Sequence, residues 1–169
     1  FDCMKKLYYS WADIEGACLD LARQIRQDSW QPDYIVGIGR GGLIPATLLS
    51  HYMDIPMQTL DVSLRDGGTT VSNAGMADDA YKGKNILVVD DINDQGSTIE
   101  WIKKDWREMS LSSAIRWDND IWHKTVRFAV LTDNFSSKSE SDYHVWEVNK
   151  AEEDCWLVYP WEEYWKWRR

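Results

Sequence analysis

Nowhere in the 169 residues do apolar side chains run on for the roughly 18 positions that a membrane-crossing helix needs. Basic side chains are also scarce. Nineteen Lys and Arg stand against 28 Asp and Glu, giving a formal charge of −9 and a pI near 4.8. That balance argues against a surface built for nucleic acid or an anionic membrane, both of which require a basic patch. Cysteine is limited to Cys3, Cys18 and Cys155, an odd and scattered set with no zinc-ligand spacing. Reduced thiols in a cytoplasmic protein are therefore expected. Phe1 to Ser10 carries Lys5 and Lys6 but no apolar core, so no secretory signal is expected there. Against these shortages stand eleven Trp, which imply large aromatic packing surfaces but name no ligand.

The length suits one domain with a real core. Ser10 can cap a helix from Trp11 to about Gln27, with Asp13 in its first turn and an apolar stripe of Ile14, Ala17, Cys18, Leu21, Ala22 and Ile25. After Pro32, Tyr34 to Ile38 reads as a buried strand, followed by Gly39-Arg40-Gly41-Gly42 and a helical pattern from Leu43 to about Met53. That glycine run is either a tight turn or an anion cradle of exposed N–H groups with one fixed cation. Met57 to Val62 alternates as a strand, and residues 63–84 turn polar and Gly-rich, a lid or a solvated hairpin. Ile99, Ile102, Trp106 and Met109 mark one face of a helix starting near Ser97. The pattern assigns no single element to 110–124. Thr125 to Leu131 and Tyr143 to Val148 read as strands around a polar, Ser-rich loop, and Cys155 to Val158 as a short strand before Pro160 and a last aromatic helix. Strands alternating with helices predict an α/β fold, a single domain with a central, mainly parallel sheet flanked by helices.

The chemistry concentrates in Ile86-Leu87-Val88-Val89-Asp90-Asp91-Ile92-Asn93-Asp94-Gln95-Gly96-Ser97-Thr98. Four apolar residues suit a strand covered on both faces, and ligands of parallel sheets collect beyond the carboxyl ends of such strands. Asp90 and Asp91 could hold a divalent cation or sugar hydroxyls. Gly96, Ser97 and Thr98 would offer N–H groups, hydroxyls and a helix start to a phosphate. A phosphorylated sugar with magnesium is the ligand this combination suggests.

Val88 to Thr98 closely resembles the diphosphate-sugar signature of type I phosphoribosyltransferases: an apolar strand, Asp-Asp, two residues, Asp-Thr-Gly, one residue, Thr. Gly39-Arg40-Gly41-Gly42 resembles that family's pyrophosphate loop, and Trp156-Leu157-Val158-Tyr159-Pro160-Trp161-Glu162 the base-binding end of its xanthine-guanine and hypoxanthine branch. The resemblance implies transfer of the 5-phosphoribosyl group from 5-phosphoribosyl 1-diphosphate to guanine, xanthine or hypoxanthine in purine salvage, with Mg2+ as cofactor. It implies Asp90 and Asp91 for the ribose hydroxyls and metal. The turn of Asp94, Gln95, Gly96, Ser97 and Thr98 would take the 5′-phosphate, and Asp94 would also exchange a proton with N7 of the base. Arg40, Gly41 and Arg65 are implied for pyrophosphate, and Trp156 and Leu157 for the base. Residues 63–84, with Ser63 and Arg65, would form a mobile hood, and 143–169 a small base-binding C-terminal region within a single domain spanning 1–169. A cytoplasmic homo-oligomer, dimer or tetramer, is expected. Each role has a plainer alternative: Asp94 as a loop or helix cap, Trp156 as core, and the whole chain as a non-catalytic sensor of the sugar diphosphate or a nucleotide.

Two positions depart from the family's pattern. Gln95 stands where Thr is usual, and Thr132-Asp133-Asn134 stands where the purine branch places the lysine that reads the 6-oxo group. Lys138 is the nearest lysine to that point.

Overall fold

The computed structural model describes residues 5–62, 71–110 and 114–162. A short strand, β1 (Lys5–Tyr8), leads into helix α1 (Trp11–Gln27). The helix starts where expected because Ser10 and Asp13 cap each other. The Asp13 amide donates to Ser10 Oγ (3.1 Å), and the Ser10 amide donates to Asp13 Oδ2 (2.8 Å). Its six stripe residues are all buried.

Next come β2 (Tyr34–Ile38), α2 (Leu43–Met53), β3 (Met57–Leu60), α3 (Val71–Tyr81), β4 (Ile86–Asn93) and α4 (Ser97–Met109). A helical turn, α5 (Ala114–Arg116), runs into a π-helical segment, Trp117–Ile121. The chain then forms β5 (Val126–Asn134), β6 (Trp146–Val148) and β7 (Cys155–Val158), with a 3-10 turn at Pro160–Glu162. Five strands make one sheet in the order β3-β2-β4-β5-β6, every pair parallel. β1 and β7 form a separate parallel pair.

Alternate residues of the central strands feed two cores. Ile35, Leu87, Val89, Ala129 and Leu131 pack with α1 and α2 on one face. Val36, Ile86, Val88 and Phe128 pack on the other with Met76, Ala77 and Ala80 of α3 and Ile99, Ile102 and Trp106 of α4. This two-sided burial is why β2 and β4 read as unbroken apolar runs. The second core absorbs several tryptophans: Trp117 and Trp122 stack at 4.9 Å between ring centroids, with Trp106 6.0 Å from Trp122.

Several boundaries differ from those expected. The 63–84 connection is not a loop throughout: α3 occupies Val71–Tyr81 and buries Met76, Ala77 and Ala80 against the sheet. Its burying residues are few and mostly small, so the periodic signal is faint. Residues 63–70, with Ser63 and Arg65, lie outside the described residues. β3 ends at Leu60, short of Val62. β5 runs on to Asn134, and the strand expected from Tyr143 shrinks to Trp146–Val148, with Tyr143 making one bridge to Ala129. Past Glu162, the last aromatic segment also lies outside the described residues.

From β3 the chain crosses back over β2 to enter β4, so the strand order reverses between β2 and β4. The loops after these two strands therefore splay apart at their carboxyl ends, the place where parallel sheets open a crevice.

Candidate active site

The strand-to-helix turn after β4 and the glycine run after β2 meet in that crevice. β4 does not stop at Val89 but carries Asp90 to Asn93 in strand conformation, so the acid pair projects from a rigid element. Asp90 Oδ1 accepts from the Asp91 amide and Asp91 Oδ1 from the Ile92 amide, each at 2.8 Å. Burial raises the Asp90 carboxyl well above the usual carboxylate range, and the neighbouring Asp91 charge raises it further. Asp91 is also raised, chiefly by burial, with hydrogen bonds from its neighbours pulling the other way. Two adjacent carboxylates with too little compensating charge are a natural place for a cation.

Arg40 is exposed, and Gly41 presses against Asp91. A Cβ built on Gly41 would lie 2.4 Å from Asp91 Oδ2 and 2.7 Å from Cγ, so only glycine lets the two loops approach this closely. Gly96 is bound on two counts. Its φ of +85° is left-handed, and a Cβ there would sit 2.8 Å from the Ser139 amide nitrogen and 2.9 Å from Ser137 Oγ. It immediately precedes α4, whose first amides are free to face a ligand. Asp90, Asp91 and the whole turn from Asp94 to Thr98 line one cavity of about 320 Å³.

What holds this turn was not legible as a site. Asn93 is buried, and its amide donates to Asp133 Oδ1 (2.8 Å) and the Ser139 carbonyl (2.6 Å) while accepting from Ser137 Oγ (3.0 Å). The Lys138 amide reaches the Gln95 carbonyl at 3.3 Å. The polar loop between β5 and β6, an ordinary solvated connection by composition, thus clamps the turn after β4. Tyr159, fully within the core, donates to the Asp91 carbonyl and shares a hydrogen bond with the Thr132 hydroxyl, both at 3.0 Å, tying the end of β7 to the acid pair.

A second cavity, about 470 Å³, opens on the other side of Asp94 and Gln95 and is lined also by Asn134, Lys138, Lys150 and Trp156. Asp94 and Gln95 are the wall the two cavities share. Trp156 is 54% exposed, so this tryptophan is surface facing a cavity and not core. Leu157 is buried among core side chains and lines neither cavity, leaving only its backbone to offer. Lys150, which sequence reading passed over, brings Nζ to 3.1 Å from Asp94 Oδ2. It lies 56 positions from Asp94 in the chain, a pairing no local pattern encodes.

Residues 6–166 match the family described as the phosphoribosyl transferase domain. The chain belongs to that family. It is 28% identical to hypoxanthine-guanine phosphoribosyltransferase of Schizosaccharomyces pombe, over 93% of this chain and 89% of the relative. It is also 28% identical to xanthine-guanine phosphoribosyltransferase of Cereibacter sphaeroides, over 94% and 87%. Among solved structures, the purine phosphoribosyltransferase from Pyrococcus horikoshii superposes with a TM-score of 0.67 at 28% identity, covering 95% of this chain and 97% of that one. The phosphoribosyltransferase match spans every element that builds the two cavities. Among the described residues no three His, Cys, Asp or Glu side chains gather into a metal cage. Asp90 and Asp91 fit a magnesium site of the kind that takes one or two protein carboxylates and completes itself with water and substrate oxygens.

Proposed function

We propose that this phosphoribosyltransferase transfers the 5-phosphoribosyl group from 5-phosphoribosyl 1-diphosphate to guanine, xanthine or hypoxanthine, releasing pyrophosphate and the nucleoside 5′-monophosphate. The observation that carries the reading is the shared wall: Asp94 separates a cavity lined by an acid pair and a helix start from a cavity edged by an exposed tryptophan.

In this reaction the bond from ribose C1 to the diphosphate oxygen breaks, a bond from C1 to a ring nitrogen forms, and the base gives up one proton. The turn from Asp94 to Thr98 holds the 5′-phosphate through the amides at the start of α4, where the helix dipole favours an anion. Asp90 and Asp91 hold the ribose hydroxyls and, directly or through water, Mg2+. Bound magnesium would neutralise the charge that grows on the leaving pyrophosphate. Arg40 and the amides around Gly41 act on the same charge, with Arg65 assigned to it from the segment between β3 and α3. Asp94 exchanges the proton at N7 of the base. Trp156 offers a flat face for the base, and the backbone near Leu157 an edge.

Two free buried thiols, Cys18 and Cys155, support a reducing setting, the cytoplasm. The reading includes a homodimer or tetramer, to which exposed Tyr8 and Trp11 would lend apolar area. The test is a base panel: purified protein with the sugar diphosphate, Mg2+ and each of guanine, xanthine and hypoxanthine, following pyrophosphate. Release with at least one of them is expected. Absence of turnover with every purine and pyrimidine base would overturn the proposal.

A further inference from the structure

Lys103, on α4, aims its ammonium at a base. Its Nζ lies 3.0 Å from His123 Nε2, and His123 Nδ1 lies 3.0 and 3.1 Å from the two oxygens of Asp142. An ammonium only donates and a carboxylate only accepts, so the partners fix the tautomer. The imidazole carries its proton on Nδ1 and offers the Nε2 lone pair to Lys103. Asp142 is itself set by the Phe128 amide, which donates to its Oδ2 at 2.7 Å. His123 takes a left-handed φ of +62°, unfavourable for a residue with a Cβ, and its amide donates to the Val126 carbonyl at 2.8 Å. None of the three side chains lines either cavity described above. Lys5, Lys82, Lys84, Lys104 and Lys150 all pair with carboxylates instead. A carboxylate favours the charged, unreactive form of an amine, whereas an imidazole can take its proton.

We infer that Lys103 is a site of acyl modification, with His123 as the base that frees its amine and Asp142 as the group that positions the ring. The co-reactant is an activated carboxylic acid, either an acyl phosphate or an acyl thioester. The three residues make the constellation of nucleophile, base and orienting carboxylate, with an amine as the nucleophile. Lys103 passes one proton to His123 Nε2, and the freed amine attacks the acyl carbonyl carbon. A C–N bond forms, and the bond from that carbon to the phosphate oxygen or the sulfur breaks. The second proton that the nitrogen must lose departs with the phosphate or the thiol. Asp142 stabilises the imidazolium until it returns its proton to water. Lys103 and His123 are both partly exposed, so an acyl donor reaches them from solvent. The inference does not depend on the transfer reaction proposed above.

Lys104 supplies the internal control, being adjacent, 76% exposed and paired with Glu108 at 4.0 Å. The test incubates the intact protein separately with acetyl phosphate and with acetyl coenzyme A, following acetylation at each lysine over time by peptide mass spectrometry. Lys103 should be acetylated about tenfold faster than Lys104 with at least one donor, and the donor that reacts identifies the class. Exposure alone would give the opposite order. His123→Asn suits the left-handed φ but lacks a basic nitrogen. In it the Lys103 rate should fall about tenfold or more while that of Lys104 changes by less than about twofold. Asp142→Asn, which keeps an oxygen for the Phe128 amide, should lower the Lys103 rate with the same selectivity. The two variants disturb different elements, so a folding defect in one leaves the other to decide. Lys103 reacting no faster than Lys104 with both donors would overturn the inference. So would a Lys103 rate that neither variant lowers relative to Lys104.

Discussion

Replacing Asp90 with asparagine should make the ligand-free protein more stable while disabling it. Asp90 is pushed toward its neutral form by burial and by Asp91 beside it, so at neutral pH the fold carries the cost of a carboxylate it does not compensate. Asparagine has the same shape, and its oxygen can still accept from the Asp91 amide as Asp90 Oδ1 does at 2.8 Å. The change removes the charge and leaves that hydrogen bond. The desolvation cost of an uncompensated buried polar group is about 1–3 kcal/mol, more if charged. For a domain of this size each kcal/mol moves Tm by about 2–4 °C, so the variant should melt about 2–12 °C higher at pH 7.5. The pH dependence has a definite sign. A carboxyl whose pKa is higher in the folded than in the unfolded chain binds protons more readily when folded. Its effect on stability is therefore lost penalty at low pH and full penalty at high pH, growing from the unfolded value near 3.9 up through the raised folded one. The gap in Tm between Asp90→Asn and the parent should be widest near neutrality and close as the pH falls toward 4. Calorimetric scans of both proteins across that range, without metal or substrate, measure it directly. A variant no more stable at pH 7.5, or a gap that does not change with pH, would refute the claim that the pair is electrostatically strained.

Gly41→Ala should leave the fold nearly as stable but cut turnover at least tenfold, because its Cβ would displace the Asp91 carboxylate from 2.4 Å away; near-normal kinetics would show that Asp91 need not stay where it is. Asn93→Ala leaves the Ser139 carbonyl and the Asp133 and Ser137 side chains without their buried partner, so denaturant unfolding should show a loss of about 1–3 kcal/mol, and the KM for the sugar diphosphate should rise as the turn loosens. Asp94→Asn should lower kcat about 10²–10⁴-fold with sugar-diphosphate binding retained, as measured by calorimetry; an active variant would reduce Asp94 to a loop cap.

Much of the fold was readable because its decisive signals are local. The six-residue stripe and Ser10–Asp13 cap delimit α1 within the span of one helix, and the apolar runs of β2 and β4 report a sheet covered on both faces. α3 was missed for an equally local reason: its contact face is Met76, Ala77 and Ala80, too small and too few to stand out in a polar stretch. The 143–148 strand was overextended because Tyr143 and Val145 are placed by bonding to β5, Val145 donating to the Leu131 carbonyl at 3.2 Å, and alternation cannot report a partner.

The site divides along the same line. Asp90 to Thr98 is contiguous, and the requirement for acids at a strand end, glycine in a left-handed turn and hydroxyls at a helix start is written within nine residues, so sequence alone located the acid pair and the turn that line the first cavity. The pressure of Gly41 on Asp91, the grip of Ser137 and Ser139 on the turn, and the pairing of Lys150 with Asp94 join segments 44 to 56 positions apart, a spacing with no period and no motif. Only the parallel sheet, by reversing its strand order between β2 and β4 and carrying β5 beside β4, brings those segments to one crevice. The second cavity was therefore decided by tertiary structure: which side chain meets Asp94 depends on where distant loops cross, and no single stretch of chain contains that information.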